Sequence, residues 1–386
     1  MFAVCADGFL GVGGGAAEGL CHGWAAARAA RDACAATSAS CAYLAHRQAL
    51  NRRERELYDL IDAALARREE SVVLPGVGGF ARAAELYHLV CHDRPGYIYA
   101  SRTICGSDPG PVSGDVRLDF VYRMTPEAAG RALRKMERRA ARLLRHVDRT
   151  APAGAIALQV HDLLLRDFTY TYQGMASHEM PDEVDGADDC HFAHAALIGR
   201  NAVCDGWSLA YKYLLDRVGV ASAVVWGQAG DAENPAGNHA WNVVDIADGL
   251  GGRHRWSHVD VTWDGMCSAA DVISHGNFGL NGRQAAMTHT IESPGFNPVC
   301  VAADYYRAHG LQVRRASQAV ELARRSGFPC VGFELQLPLC GDADAQAQCQ
   351  AVAKRLSREF SVPVRTRLIP ERRVVLVFPS PRVFKI

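Results

Sequence analysis

The sequence predicts an α+β fold in which a cysteine-bearing helix packs on an antiparallel sheet that carries a histidine and an aspartate. Three observations predict it. A helix-period stretch begins at Cys204 and stops at Gly219. Two alternating segments, 239–246 and 256–263, flank a loop rich in turn formers, as the arms of a hairpin do. Beyond residue 330 the chain reads strand, helix, strand, strand, an order that suits a small α+β unit.

Composition sets the outer limits. The chain has 386 residues, 49% of them hydrophobic and 22% charged, which suits two or three globular domains and excludes wholesale disorder. Basic and acidic residues number 42 each, so no net charge attracts nucleic acid or anionic lipid. No run approaches the ~20 apolar residues that cross a bilayer. The opening MFAVCADGFLGVGGG has no basic residue before its apolar part and does not read as a secretory signal. Thirteen cysteines without a CxxC pair suit a reducing compartment, the cytoplasm ahead of secretion, with buried thiols; several disulfides in an oxidising compartment are the alternative.

Four regions follow. Residues 1–50 are an Ala/Gly-rich leader; its Gly11-Val12-Gly13-Gly14-Gly15-Ala16 lacks the preceding strand that a dinucleotide fingerprint needs. Residues 51–150 read as an α/β accessory domain. It has a helix over 52–68 burying Leu57, Ile61, Ala64 and Leu65, and a short helix over 81–90. Strands follow at 96–100 and 116–122. A basic helix over 125–148 turns Leu133, Met136, Ala140, Leu143 and Leu144 inward. Residues 151–295 hold every chemical constellation. Residues 296–386 form a small α+β region: helix 301–325, strand 331–337, helix 343–359, and two strands around Glu371-Arg372.

Within 151–295 the cysteine comes first. Ala210, Tyr211, Leu214, Leu215 and Val218 make a buried stripe behind Cys204, which puts the thiol at a helix N-terminus. Unpaired N–H groups and the helix dipole there favour a thiolate. Taken alone, Cys204 reads as an inert buried cysteine. The hairpin changes that reading. With the turn centred midway between Gly249 and Leu250, opposed positions share an index sum of 499, which pairs His239 with Asp260. Cross-strand neighbours have Cβ atoms roughly 5 Å apart, close enough for a carboxylate to orient an imidazole. Thiolate, imidazole and carboxylate together can attack a carbonyl, form an acyl-enzyme and protonate a leaving amine.

Three motifs carry a family resemblance. Gly199-Arg200-Asn201-Ala202-Val203-Cys204-Asp205-Gly206-Trp207, His239-Ala240-Trp241-Asn242 and His258-Val259-Asp260-Val261-Thr262-Trp263-Asp264 resemble the transglutaminase-like superfamily, in that chain order. The likeness extends upstream through 161–165 and 192–197, and a weaker one reaches the flanks at 93–96 and 305–311, where bacterial proteins with this domain look similar. The resemblance implies a papain/transglutaminase-like core in which Cys204, His239 and Asp260 are nucleophile, base and orienter. It implies a peptide or protein substrate and no cofactor. Trp207 departs from a tyrosine common after the cysteine and glycine, and the hairpin loop is longer than usual.

Other residues are weighed beside the triad. Tyr170 and Tyr172 are candidates for the oxyanion donor, with core packing as their bland role. Trp207, Trp241 and Trp263 either brace the structure or line a substrate groove. Cys190-His191-Phe192-Ala193-His194, with His178, has no second ligand pair, so no metal site is assigned. The acidic run 182–189 lacks EF-hand spacing and reads as a solvated loop. The reaction is left open between peptide or amide hydrolysis, which the resemblance favours, and acyl transfer to an amine. An acetyltransferase needs a cofactor pocket that is not legible. A catalytically inactive peptide-binding module would have no use for an intact triad.

Overall fold

The computed structural model describes residues 42–107, 114–171, 188–231, 235–247, 255–268, 272–303, 305–338 and 342–379. Helices α1 (Ala45–Ala49) and α2 (Arg52–Arg67) lead into strand β1 (Ser71–Leu74), helix α3 (Phe80–Asp93) and strands β2 (Ala100–Ser107) and β3 (Val116–Tyr122). The strands form an antiparallel sheet in the order β1-β3-β2. A capping box starts α2: Asn51 accepts the Glu54 N–H at 2.9 Å while the Glu54 carboxylate takes the Asn51 N–H at 3.2 Å. Leu57, Ile61, Ala64 and Leu65 are buried, as their spacing predicts. The strand expected over 96–100 begins only at Ala100, because 95–99 are held in turns by Tyr97 N–H to Arg94 O and Ala100 N–H to Tyr97 O.

Helix α4 (Pro126–Leu144) is capped by Thr125 and buries Met136, Ala140, Leu143 and Leu144, while Arg131, Arg134, Arg138 and Arg142 face outward. Those apolar side chains join the same core as helices α5 (Ala153–Leu165) and α6 (Cys204–Arg217). Strands β4 (Ser222–Ala229), β5 (Gly237–Ala247) and β6 (Arg255–Val259) follow, then helix α7 (Val261–Cys267) and the short strands β7 (Phe278–Leu280) and β8 (His289–Ile291). They make a five-stranded antiparallel sheet ordered β7-β6-β5-β4-β8.

Helix α6 is enclosed on nearly every side: Gly206 through Asp216 are all buried. Even Lys212 is fully buried, its ammonium satisfied by Asp216 at 3.0 Å and by the carbonyls of Tyr43 and Ser222 at 2.9 and 3.1 Å. Gly206 is required by close approach, since a Cβ there would sit 2.4 Å from the Cys190 carbonyl oxygen. Gly219, at φ 70°, ends the helix in the left-handed region.

The register of β5 and β6 differs from the expected one. Asn242 faces Val259 and Val243 faces His258, so opposed positions sum to 501 instead of 499. The strand expected over 256–263 stops at Val259. The physical reason is Asp260: its Oδ1 accepts the N–H groups of Thr262 and Trp263, at 2.9 and 3.0 Å, and so caps α7.

The C-terminal stretch contains helices α8 (Tyr305–Ala308) and α9 (Ala316–Arg325), strand β9 (Phe333–Gln336), helix α10 (Asp342–Phe360) and strands β10 (Val364–Ile369) and β11 (Val374–Pro379). Its sheet runs β10-β11-β9, antiparallel throughout. The single helix expected over 301–325 is two, because Gly310 takes a positive φ of 65° and the chain then runs extended, with Gln312 bridging Gln336. The whole is mixed helix and sheet, and among the described residues no helix is long and apolar enough to cross a membrane.

Candidate active site

The first residue of α6 is Cys204, with Val203 extended at the N-cap, so the thiol sits where the opening N–H groups of the helix have no intrahelical partner. It is half-buried. The parallel bridge between Tyr170 and Ala202 fixes the approach: Thr171 N–H reaches the Ala202 carbonyl at 3.2 Å and Ala202 N–H the Thr169 carbonyl at 3.3 Å.

Beside α6, β5 presents His239. Its Nε2 donates to Asp260 Oδ2 at 2.7 Å, which leaves Nδ1 for the Cys204 side chain that hydrogen-bonds the ring. Burial disfavours the imidazolium, but the Asp260 charge and hydrogen bond, with Cys204 adding to them, raise His239 to about 10. Asp260 is 2% exposed and held well below the usual carboxylate range; burial opposes this, and His239 and His289 overcome it. These three side chains therefore come together from a helix N-terminus, a mid-strand position and a helix cap. The meeting of His239 and Asp260 expected from the hairpin occurs, by a different route.

Sequence reasoning missed His289, on β8. Its Nε2 lies 3.0 Å from Asp260 Oδ2, the same oxygen that receives His239. Burial holds His289 below the ordinary histidine value, against the pull of Asp260. Trp241 and Trp263 frame both imidazoles, with centroids 6.0 and 5.9 Å from His239 and 4.8 and 4.7 Å from His289. Trp241 is buried and donates to His258 Nδ1 at 3.1 Å, a bracing role. Burial lowers His258 to about 4, so it accepts that proton as a neutral ring. Trp263 is half-buried. Trp207 is fully buried, with its indole N–H on the Ala202 carbonyl at 3.1 Å and Phe168 at 4.7 Å, so it packs below Cys204 and lines no groove.

Of the oxyanion candidates, Tyr170 is half-buried two residues from Cys204 across the bridge to Ala202, and Tyr172 lies outside the described residues. So do His178 and most of the acidic run 182–189. His191 and His194 are engaged by carboxylates: Nδ1 of His191 lies 3.0 Å from Asp205, and Nε2 of His194 lies 2.9 Å from Asp189.

A second histidine–carboxylate cluster lies where the central sheet meets the C-terminal stretch. His161 Nδ1 lies 3.0 Å from Asp162 and its Nε2 3.3 Å from Asp264. His275 Nε2 reaches Asp162 at 2.9 Å and its Nδ1 reaches Glu334 at 2.5 Å. Tyr306 donates to Glu334 at 2.7 Å. Burial opposes charge on His275, yet Glu334 and Asp162 raise it to about 10. Two sets of three residues, His161-Asp162-His275 and His239-Asp260-His289, each bring their potential metal-ligating atoms within 4.8 Å of one another. In the second set a cation would have to replace the imidazole protons that Asp260 receives.

No protein-family model and no curated protein matches the chain. Among solved structures, one described as the crystal structure of a TGase aligns over 56% of this chain and 60% of its own, with 10% identity and a TM-score of 0.29. The alignment thus spans less than two thirds of that protein.

Proposed function

We propose that the chain is a transglutaminase-like cysteine peptidase or amidase, with residues 151–295 as its catalytic unit and the flanks supporting it. The observation that carries the reading is the contiguity of Cys204, His239 and Asp260: a thiol at a helix N-terminus, an imidazole beside it, and a carboxylate 2.7 Å from the far side of that ring. Cys204 Sγ, its proton held by His239, attacks an amide carbonyl carbon. The tetrahedral oxyanion is placed at the N–H groups that open α6, the Cys204 N–H among them, with Tyr170 as a side-chain candidate. His239 gives its proton to the leaving amine and a thioester remains on Cys204. Water then attacks the thioester with His239 taking its proton, which releases the acid and restores the thiol. An amine in place of water would make the same site a transamidase.

The test is intact-mass spectrometry with peptide mapping after brief iodoacetamide treatment from pH 4 to 9, on wild type and His239→Ala. Selective labelling of Cys204 at low pH, lost in the variant, supports the reading. Burial pushes Cys91, Cys267 and Cys300 up to about 12, and Cys105 and Cys330, which are exposed, serve as accessible comparators. Labelling of Cys204 no faster than those two would leave a peptide-binding module without chemistry. Peptide amides then separate hydrolysis from transamidation: the product mass shows whether water or an added amine replaced the leaving group.

A further inference from the structure

We propose that His289 is a positioning residue of the triad, and that Arg372, from the C-terminal sheet, sets the direction of every hydrogen bond leading to it. This rests on the triad reading above and extends it to residues outside the catalytic motifs.

Arg372 sits in the turn between β10 and β11 and is 6% exposed. All three of its nitrogens reach back to the central region: Nε to Asn277 Oδ1 at 3.0 Å, Nη1 to the Gln284 carbonyl at 2.5 Å and Nη2 to Thr288 Oγ1 at 2.7 Å. A guanidinium only donates. Thr288 must therefore accept from Arg372, and its single hydroxyl proton is free for another acceptor. His289 Nδ1 lies at 2.7 Å and the Ala285 carbonyl at 3.5 Å, so the proton goes to His289. With Nδ1 accepting, the neutral ring carries its own proton on Nε2 and donates it to Asp260 Oδ2 at 3.0 Å.

Asp260 thereby receives four N–H groups: Thr262 and Trp263 on Oδ1, His239 and His289 on Oδ2. The carboxylate is clamped from both sides, and among the described residues its only charged donor is the imidazolium that faces Cys204. If His289 were protonated, it would compete with His239 for the Asp260 charge. The chain from Arg372 removes that competition by filling Nδ1 with a hydroxyl proton.

The experiment compares rates of Cys204 alkylation by iodoacetamide at pH 6 and pH 9 in wild type, His289→Phe, Thr288→Val, Thr288→Ser and Arg372→Met, with melting curves on each. Phenylalanine keeps the packing against Trp241 and Trp263 while removing the donor. Expected at pH 6 is a loss of about tenfold in His289→Phe and about threefold in Thr288→Val and Arg372→Met, the sizes that follow from losing a hydrogen bond to a charged group and one a step further away. Thr288→Ser restores the wild-type rate. At pH 9, where an ordinary cysteine is largely thiolate, the rates converge. Partial unfolding would instead speed alkylation at both pH values. Wild-type rates at pH 6 in both His289→Phe and Thr288→Val would overturn the proposal. A second readout does not depend on Cys204 at all. Imidazole nitrogen NMR, with the His289 signals assigned by their loss in His289→Phe, should show the Nε2–H tautomer. The Nδ1–H tautomer would overturn the relay even if Cys204 labels selectively. If wild-type Cys204 fails to label at low pH, the enzyme reading falls, and the tautomer still decides the relay.

Discussion

At its cap, helix α7 places Asp260 against two imidazoles, His239 and His289. One turn along, Asp264 meets a third, His161, in a cluster that also contains Asp162, His275 and Glu334. The same side-chain types give opposite results. Around Asp260 one carboxylate serves two rings, so only His239 is raised, to about 10, while His289 is lowered. In the other cluster three carboxylates face two rings and both are raised, against burial. The decisive difference is the spare nitrogen. His161 and His275 have both ring nitrogens committed to carboxylates, whereas His239 turns one toward Cys204. A ring with no uncommitted nitrogen cannot exchange a proton with a substrate. It can clamp the central region to the C-terminal sheet, because Glu334 lies on β9.

The sharpest way to break this comparison is to remove charge at one cluster and read both. Asp260→Asn should slow Cys204 alkylation at pH 6 by a factor on the order of 10², because the ring loses its charged partner and its tautomer. The rate is read by mass spectrometry on time-quenched samples. Unchanged labelling would mean that another group orients His239.

Glu334→Gln, the converse change, should leave that rate unaltered and cost about 3 kcal/mol of stability, since it strips the charge facing buried His275. Urea denaturation monitored on the C-terminal sheet reads the cost. A variant that lost alkylation and kept its stability would reverse the roles assigned to the two clusters.

Stability against pH sharpens the contrast from a different side. His239 and His275, raised from 6.5 to about 10, contribute stability that is fully present below pH 6.5 and is lost as pH rises through about 10. His258 and His92, lowered by burial to about 4, act with the opposite sign: their contribution is full above 6.5 and declines as pH falls toward 4. Melting temperature should therefore peak near pH 6.5. Each proton taken up or released adds a slope of about 1.4 kcal/mol per pH unit. His239→Ala should flatten part of the alkaline limb, leaving the His275 share. An alkaline limb unchanged in that variant would show that His239 is not charged in the folded state.

How much of this was legible beforehand depends on whether a residue acts near its sequence neighbours. Cys204, His239 and Asp260 announce themselves because a helix start, an alternating strand and a turn-rich loop leave local patterns. The register did not follow: opposed positions sum to 501 instead of 499, with an irregularity between Asp245 and Ala247, and the capping bonds of Asp260 end β6 early. β4 has no counterpart in the sequence reading: Ser222–Ala229 is buried on both faces for much of its length and so lacks the alternation of a half-exposed strand. His289 sits in a three-residue strand that carries no periodic signal. Arg372 reads as a turn residue, and only the docking of the C-terminal sheet aims it at Thr288, 84 positions away.

The smallest predicted effect tests whether the two ends of α7 are independent. Ser274 donates to Asp264 Oδ1 at 3.1 Å and accepts the Gly276 N–H at 3.2 Å, while Asn277 N–H also serves that carboxylate oxygen at 2.9 Å. Ser274→Ala thus removes one of several donors and should cost about 1 kcal/mol. Asp264 and Asp260 share a helix only seven residues long, Val261–Cys267, so a tilt of α7 driven from the Asp264 end would displace Asp260 and slow alkylation. If the four donors on Asp260 hold it against such a tilt, Ser274→Ala lowers the melting temperature slightly and leaves the pH 6 rate of Cys204 at its wild-type value. A fall in that rate would show that the clamp at one end of α7 tunes the triad at the other.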